Sequence, residues 1–298
     1  MTRWIGDTAV AHLRDVAEWP DLGERYEVMR RVGRGGMGVV YAARDLTLGR
    51  DVAVKVLDRA GTADDAASRL LAEARILGRL EHPGIVPVHD AGVLVDGRPF
   101  YVMKLVRGER LDAVVESRSL NQRLELFLRI CDTVAFAHAH GVVHRDLKPQ
   151  NVMIGPFGEV LVMDWGVAVL AENHGDMPVA GTPGYMAPEQ ERRGSPVDAR
   201  TDVFALGVVL EAMLPRPSPK ALAAIAARAR ADRAEDRYDS TLALARDVSR
   251  FREGEPVSAY EESLVERLAR LYARHKLPIT LVLAYMVIRV ILLLWFRT

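Results

Sequence analysis

Apolar and polar residues alternate along Tyr26–Val32, Val39–Arg44 and Asp51–Leu57, the period-two pattern of strands with one face on a core. Turns at Gly33–Gly38 and Leu48–Arg50 join them. The period changes at residues 64–80, where Leu70, Ala74 and Leu77 recur at helical spacing. Strand character returns at residues 85–95 and 99–106, and beyond about Gly108 the chain reads as mostly helical. Asn121 is placed to cap a helix over Gln122–His140, and Gly141 to end it. Residues 202–214 are apolar nearly all round, which predicts a helix buried inside a lobe, and another helix is expected near Ala221–Ala231. A strand-rich part followed by a helix-rich part predicts an α+β chain in two lobes.

Composition narrows the function classes. With 298 residues, 49% apolar and 27% charged, the chain is neither disordered, collagen-like nor wholly membrane-embedded. Forty Lys+Arg balance forty Asp+Glu, which argues against a nucleic-acid partner. The single cysteine, Cys131, sits in an apolar helical stretch and reads as a core residue. Residues 1–19 lack the continuous apolar core of a secretory signal. They place Ile5, Ala9 and Leu13 along one side of a short helix, and residues 1–25 as a whole read as an arm.

Candidate chemistry begins at Gly33-Arg-Gly35-Gly-Met-Gly38, a G-x-G-x-x-G pattern between two strand-like segments. A glycine loop at a hairpin tip lets backbone N–H groups approach a polyphosphate, although the same pattern alone also fits an ordinary tight turn. Lys55 lies in the apolar run Val52-Ala53-Val54-Lys55-Val56, on the Ala53 face, where a lysine needs an anion. Glu73 is on the inward face of the 64–80 helix and is the natural counter-ion. His144-Arg145-Asp146-Leu147-Lys148-Pro149-Gln150-Asn151, followed by Asp164-Trp165-Gly166, gathers hard oxygen donors within 19 residues between short strands at Val142–Val143, Val152–Ile154 and Val160–Met163. Such a donor set suits Mg²⁺ bound together with phosphate oxygens.

Glycine loop, strand lysine, helix glutamate, HRDLKPQN, DWG and Ala187-Pro188-Glu189 stand in the order of the eukaryotic-like (Hanks-type) protein kinases, and the resemblance covers about residues 26–252. GRGGMGVVY and GTPGYMAPEQ are similar to bacterial members, and the lysine after HRDL is similar to the Ser/Thr branch. The resemblance implies a bilobal fold, with an N-lobe at about 26–106 and a C-lobe at about 107–252. It implies ATP and Mg²⁺ (Mn²⁺ as a substitute) and protein substrates. Carried over by position, Gly33, Gly35 and Gly38 would cover the phosphates, and Lys55 would hold the α- and β-phosphates and pair with Glu73. Asp146 would accept the substrate hydroxyl's proton, Lys148 would steady the γ-phosphate, and Asn151 and Asp164 would bind the metal. Val32, Val40, Ala53, Met103, Met153 and Met163 would line the adenine slot, with the backbone of Lys104–Val106 as its hinge. Glu189 and Arg237 match a structural ion pair, and Asp202 a brace for the catalytic loop.

The sequence departs from the pattern in three places. Trp165 replaces the usual Phe. Between Gly166 and Ala187 the only hydroxyls are Thr182, implied to contact the Asp146–Lys148 pair, and Tyr185. Arg145 therefore has no obvious phosphoacceptor partner in the loop, and Glu172 or Asp176 is the expected anion if one is used at all. The helical lobe is short, with only 35 positions from Asp202 to Arg237, which bears on substrate recognition more than on chemistry. A pseudokinase kept as a nucleotide-binding scaffold is the alternative reading.

Residues 277–296 carry a single charge, Arg289, in twenty residues, a length that spans a hydrocarbon core of about 30 Å. Arg267, Arg270, Arg274 and Lys276 precede this stretch within a basic segment at 253–276, which predicts a single-pass anchor with a cytoplasmic catalytic part and almost no external tail; a hydrophobic helix packed on the catalytic lobes, or lying flat at the membrane surface, is the alternative. Arg289 would snorkel to the far interface or face a partner helix. Leu264, Leu268 and Leu271 line one side of 261–276, a candidate for an anionic lipid surface or for pairing in a homodimer; a solvated connector fits equally. Residues 261–298 carry six Lys+Arg against three Asp+Glu, so the neutral total is an acidic body cancelled by a basic tail.

Overall fold

Five antiparallel strands build the N-terminal lobe: β1 (Tyr26–Gly35), β2 (Gly38–Asp45), β3 (Arg50–Val56), β4 (Val88–Val93) and β5 (Pro99–Lys104), in the spatial order β1-β2-β3-β5-β4. Helix α1 (Asp64–Leu77) crosses from β3 to β4 and packs on β5. The computed structural model describes residues 19–35, 38–58, 64–170, 179–192, 194–268 and 276–295. The expected helix carrying Ile5, Ala9 and Leu13 lies outside the described residues, as do Glu172, Asp176, Arg270, Leu271 and Arg274.

Alternation along β3 sorts its side chains as the pattern predicts. Val52, Val54 and Val56 join one apolar cluster with Tyr26, Tyr41 and Val102. Ala53, on the other face, joins a second cluster with Leu70, Leu77, Tyr101 and Met103, which continues into the helical lobe. Lys55 shares the Ala53 face and is buried there. Register places Lys55 opposite Tyr101 and Val40, and Ala53 opposite Met103.

The helical lobe opens with β6 (Glu109–Arg110), a short helix α2 (Leu111–Val114) and the long helix α3 (Leu120–Ala139). Ser119, not Asn121, caps α3: its hydroxyl accepts from the Gln122 N–H, and the Gln122 side chain accepts from the Ser119 N–H. Ser-x-x-Gln is a capping box, which satisfies two orphan donors where Asn121 alone would satisfy one. Asn121 instead accepts from Arg252 Nε at 3.0 Å. Gly141 follows the helix in the left-handed region, at φ 72°. Cys131 is buried in α3, and burial pushes its thiol up, which keeps it a protonated core residue.

Short strands β7 (Val142–Val143), β8 (Val152–Ile154), β9 (Val160–Val162) and β10 (Val169–Leu170) pair as β6-β8-β9 and β7-β10. They hold the loop between β7 and β8 at the front of the lobe. Helices α4 (Ala199–Met213), α5 (Lys220–Ala229) and α6 (Thr241–Arg252) complete it. The shortened stretch closes because Gly207 lets α5 lie against α4: a Cβ there would stand 2.7 Å from Ala229 Cβ.

The segment after α6 is tied back to the lobe. Buried Asp247 accepts from Ser258 N at 2.9 and 3.0 Å, Ser258 Oγ at 2.7 Å, Ala259 N at 3.2 Å and Tyr238 Oη at 2.9 Å. Glu266 accepts from Lys220 Nζ at 3.2 Å and Tyr260 Oη at 3.0 Å. The last helix, α7, runs Lys276–Trp295. Among the described residues no helix is long and apolar enough to cross a membrane. Several side chains of α7 fall outside that description, and its described apolar side chains from Leu281 to Trp295 are 45–72% exposed.

Candidate active site

The loop between β7 and β8 is strained and over-determined. Arg145 sits at φ 69°, a left-handed conformation that non-glycine residues reach at a cost of about 1–3 kcal/mol. It stays there because its N–H donates to Asp202 Oδ1 at 2.9 Å and its carbonyl accepts from Gln190 Nε2 at 2.8 Å. Asp202 Oδ2 also accepts from the His144 N–H at 2.8 Å and pairs with His138 Nε2 at 2.7 Å. Burial raises the pKa of Asp202, but the bond and charge of His138 and the donors of the loop outweigh that and hold its carboxyl below the usual range. The Asp146 N–H donates to His144 Nδ1 at 3.2 Å, so His144 Nε2 carries the proton and donates to the Met163 carbonyl at 3.0 Å. The brace and the loop are thereby stitched to the start of the Asp164-Trp165-Gly166 turn.

The strain aims one carboxylate outward. Asp146 Oδ1 accepts from Thr182 Oγ1 at 2.6 Å, and Oδ2 accepts from Lys148 Nζ at 2.7 Å and Asn151 Nδ2 at 3.1 Å. Lys148 Nζ also donates to Thr182 Oγ1 at 2.6 Å. Gly181 makes the approach of Thr182 feasible: at φ 136°, a Cβ there would meet the Arg145 carbonyl at 3.0 Å. The Asn151 amide donates a second time, to the Asp146 carbonyl at 2.8 Å, which leaves its own oxygen to act as a ligand.

Across the cleft, Lys55 Nζ donates to both Glu73 oxygens, at 2.8 and 2.7 Å, and stands 3.8 Å from Asp164 Oδ1. Tyr101 Oη donates to Glu73 Oε1 at 3.0 Å. Trp165 fills its position as a buried apolar group: its ring packs on His144 at 4.6 Å between centroids, and its indole N–H donates to the Val162 carbonyl at 3.1 Å. The substitution of Phe by Trp is therefore accommodated with its polar atom satisfied.

A cavity of about 300 Å³ lies between these groups. Among the predicted site residues, Gly35, Gly38, Val40, Lys55, Glu73, Met103, Asp146, Met163 and Asp164 line it. Val32, 46% exposed on β1, does not, and neither do Gly33, Ala53, Lys104, Val106, Lys148, Asn151 and Met153. Ala53 lies behind the wall as the strand partner of Met103, while Lys148 and Asn151 reach the site through Asp146. Leu77, Val86, Tyr101, Val162 and Trp165 also line the cavity and were not among the predicted residues. Two of them were within reach: Tyr101 follows from the period of two with Met103 on β5, and Leu77 from its place on the inward face of α1.

Glu189 and Arg237 form the expected ion pair, with Nη1–Oε1 at 2.7 Å and Nη2–Oε2 at 2.8 Å. The model of the protein kinase domain family matches residues 26–275. The chain belongs to the protein kinase family. Its relatives place it with the bacterial, eukaryotic-like serine/threonine kinases. It is 33% identical to the serine/threonine-protein kinase PknD of Chlamydia caviae, over 78% of this chain and 32% of that one. It is 36% identical to PknB of Mycobacterium tuberculosis, over 80% and 44% respectively. The DNA damage-responsive kinase RqkA of Deinococcus radiodurans is 42% identical over 63% of this chain and 29% of its own length. The match thus spans about a third of the PknD kinase's length. Among solved structures, the kinase domain of Mycobacterium tuberculosis PknI superposes with a TM-score of 0.61 at 28% identity, covering 76% of this chain and 96% of that domain. The two-lobed kinase architecture expected from the sequence is the one observed.

Proposed function

We propose that this chain is a serine/threonine protein kinase that transfers the γ-phosphate of ATP to protein hydroxyls. The observation that carries the reading is the Asp146 carboxylate, held by Lys148, Asn151 and Thr182 opposite a closed Lys55–Glu73 pair. A pseudokinase reading has less support, because the positions the chemistry needs are filled, with Lys55 bonded to Glu73 and Asp146 to Lys148 and Asn151.

In this proposal the catalytic unit is residues 26–252. Adenine lies between Val40, Met103 and Met163, with the Lys104–Val106 backbone at its edge. Lys55 holds the α- and β-phosphates. Gly33 and Gly35 leave space for the phosphates: a Cβ at either would meet no atom of the described residues within 4 Å, so packing among them does not call for glycine there. The donor set fits Mg²⁺, since the Asn151 oxygen and the Asp164 carboxylate are hard ligands and Asp164 is 56% exposed toward the cleft. Such an ion, when bound, neutralises charge on the phosphates. Asp146 orients the attacking hydroxyl and accepts its proton, while Lys148 stabilises charge on the transferred group. Most of the rate comes from this positioning and charge stabilisation.

We further propose that α7 anchors the kinase in a membrane, with the catalytic unit on the cytoplasmic side. Support comes from one charge in residues 277–296, the 20-residue length of α7 and the exposure of its apolar side chains.

A γ-phosphate transfer assay on the full chain tests the first reading. Asp146→Asn is expected to lower kcat by about 10²–10⁴-fold, and Lys55→Met by about 10²–10³-fold. Equal incorporation by wild type and both variants would overturn it. Alkaline carbonate extraction tests the second: the chain should stay with the membrane pellet, and complete release would refute the anchor.

A further inference from the structure

Tyr101 is an uncommon choice for its surroundings. It is 2% exposed on β5, inside the apolar cluster that also holds Leu70, Leu77 and Met103, where a leucine or isoleucine would fill the space without a polar atom. A buried phenol needs a partner, and this one has chosen a carboxylate: Oη donates to Glu73 Oε1 at 3.0 Å. The same oxygen accepts from Lys55 Nζ at 2.8 Å, and the ammonium stands 5.8 Å from the centre of the Tyr101 ring. Glu73 is therefore held from two sides, by the lysine on β3 and by the tyrosine on β5. The tyrosine bond is made wholly within the protein, between two side chains of the N-terminal lobe. Burial first, and the Glu73 charge second, push the phenol's pKa well above its usual value, so it remains a donor to the carboxylate throughout the working pH range.

The activation segment explains why a second tether matters. Its only hydroxyls are Thr182 and Tyr185, and Thr182 is engaged with Asp146 and Lys148. A phosphorylated hydroxyl ahead of Thr182, of the kind that could draw α1 inward, has no residue to form on. We infer that Tyr101 is a positioning residue that holds Glu73, and with it helix α1, in the lysine-paired position without a loop phosphate. The inference rests on the kinase reading above. It adds a constitutive latch between β5 and α1 whose effect reaches ATP through Lys55.

Tyr101→Phe removes the donor and keeps the ring. Binding of MgATP and of adenosine is measured on the full chain in detergent, alongside hydrogen–deuterium exchange of residues 67–77. The phosphates meet Lys55 and the nucleoside does not. MgATP affinity should therefore fall about tenfold, adenosine affinity should stay within about twofold, and exchange in α1 should rise. In a Glu73→Ala background, which removes the acceptor, the Tyr101→Phe change should lose most of its effect, because the two residues act through one bond. Equal losses for MgATP and adenosine would indicate a merely structural tyrosine and overturn the inference. So would unchanged MgATP affinity, or unchanged exchange in α1. None of these outcomes touches the kinase reading, which the transfer activity of the wild-type preparation tests separately.

Discussion

Arg237 is wholly buried, and its guanidinium donates to both Glu189 oxygens and to the carbonyls of Ala231, Arg200 and Asp232. Glu189 accepts in addition from Thr201 Oγ1 at 2.9 Å. Burial raises the pKa of Glu189, but the Arg237 bonds and charge prevail and hold it below the usual carboxylate range. Removing one partner of such a pair leaves the other charged and desolvated. Arg237→Ala should therefore cost about 3–5 kcal/mol of stability, measured by chemical denaturation, far more than its loss of packing alone. The pair was legible at the outset because the resemblance places Glu189 in Ala187-Pro188-Glu189 and matches Arg237 to it as the partner of a structural ion pair. The bond from Tyr101 to Glu73 was not: the period of two places Tyr101 on the cavity face, but an aromatic residue there reads as core, and its partner lies 28 positions away on another element. A polar contact that exists only after β5 and α1 have packed leaves no local trace in the chain.

Among elements, the β1–β2 hairpin separates two meanings of glycine. At Gly38 a Cβ would stand 2.3 Å from the Val56 carbonyl, so the backbone of β3 itself requires glycine there. At Gly35 a Cβ would meet none of the described residues within 4 Å, yet the residue lines the cavity. Gly38→Ala should destabilise the fold by about 1–3 kcal/mol. Gly35→Ala should change stability by less than about 0.5 kcal/mol while raising the KM for ATP several-fold. Thermal denaturation combined with steady-state kinetics separates the two. Equal destabilisation would mean that the loop's glycines serve packing alone. The G-x-G-x-x-G spacing announced the loop but could not distinguish these roles, because the close approach of β3 at Gly38 is set by strand pairing. Caps show the same limit: Asn121 and Ser119 are both good caps by type, and only the reciprocal bond with Gln122 decides between them.

For the molecule as a whole, the sequence divided an acidic body from a basic tail at about residue 260, whereas the fold carries the body's hold further. Asp247 gathers Ser258, Ala259 and Tyr238, and Glu266 gathers Lys220, Tyr260 and Ser263, so the route from α6 toward α7 begins as a strap on the lobe. That strap was illegible beforehand because Asp247 reads as one polar position on an amphipathic helix; its donors arrive only when the chain turns back. Its chemistry gives it a pH signature. Burial raises the pKa of Asp247, but the bonds from Ser258, Tyr238 and Ala259 more than offset this and hold its carboxyl below the ordinary 3.8. A carboxyl with a lower pKa folded than unfolded contributes stability that is complete above the unfolded value and is lost as pH falls through the folded one. Asp247→Asn keeps the shape but faces donors with an amide, and should cost about 1.5–3 kcal/mol near neutrality. The stability gap between wild type and Asp247→Asn should stay constant from pH 7 to about pH 5 and shrink below about pH 4, as the wild-type carboxylate takes up its proton. Denaturation of both proteins across that range measures it. A gap that persisted undiminished well below pH 3 would show that shape, rather than charge, holds the strap.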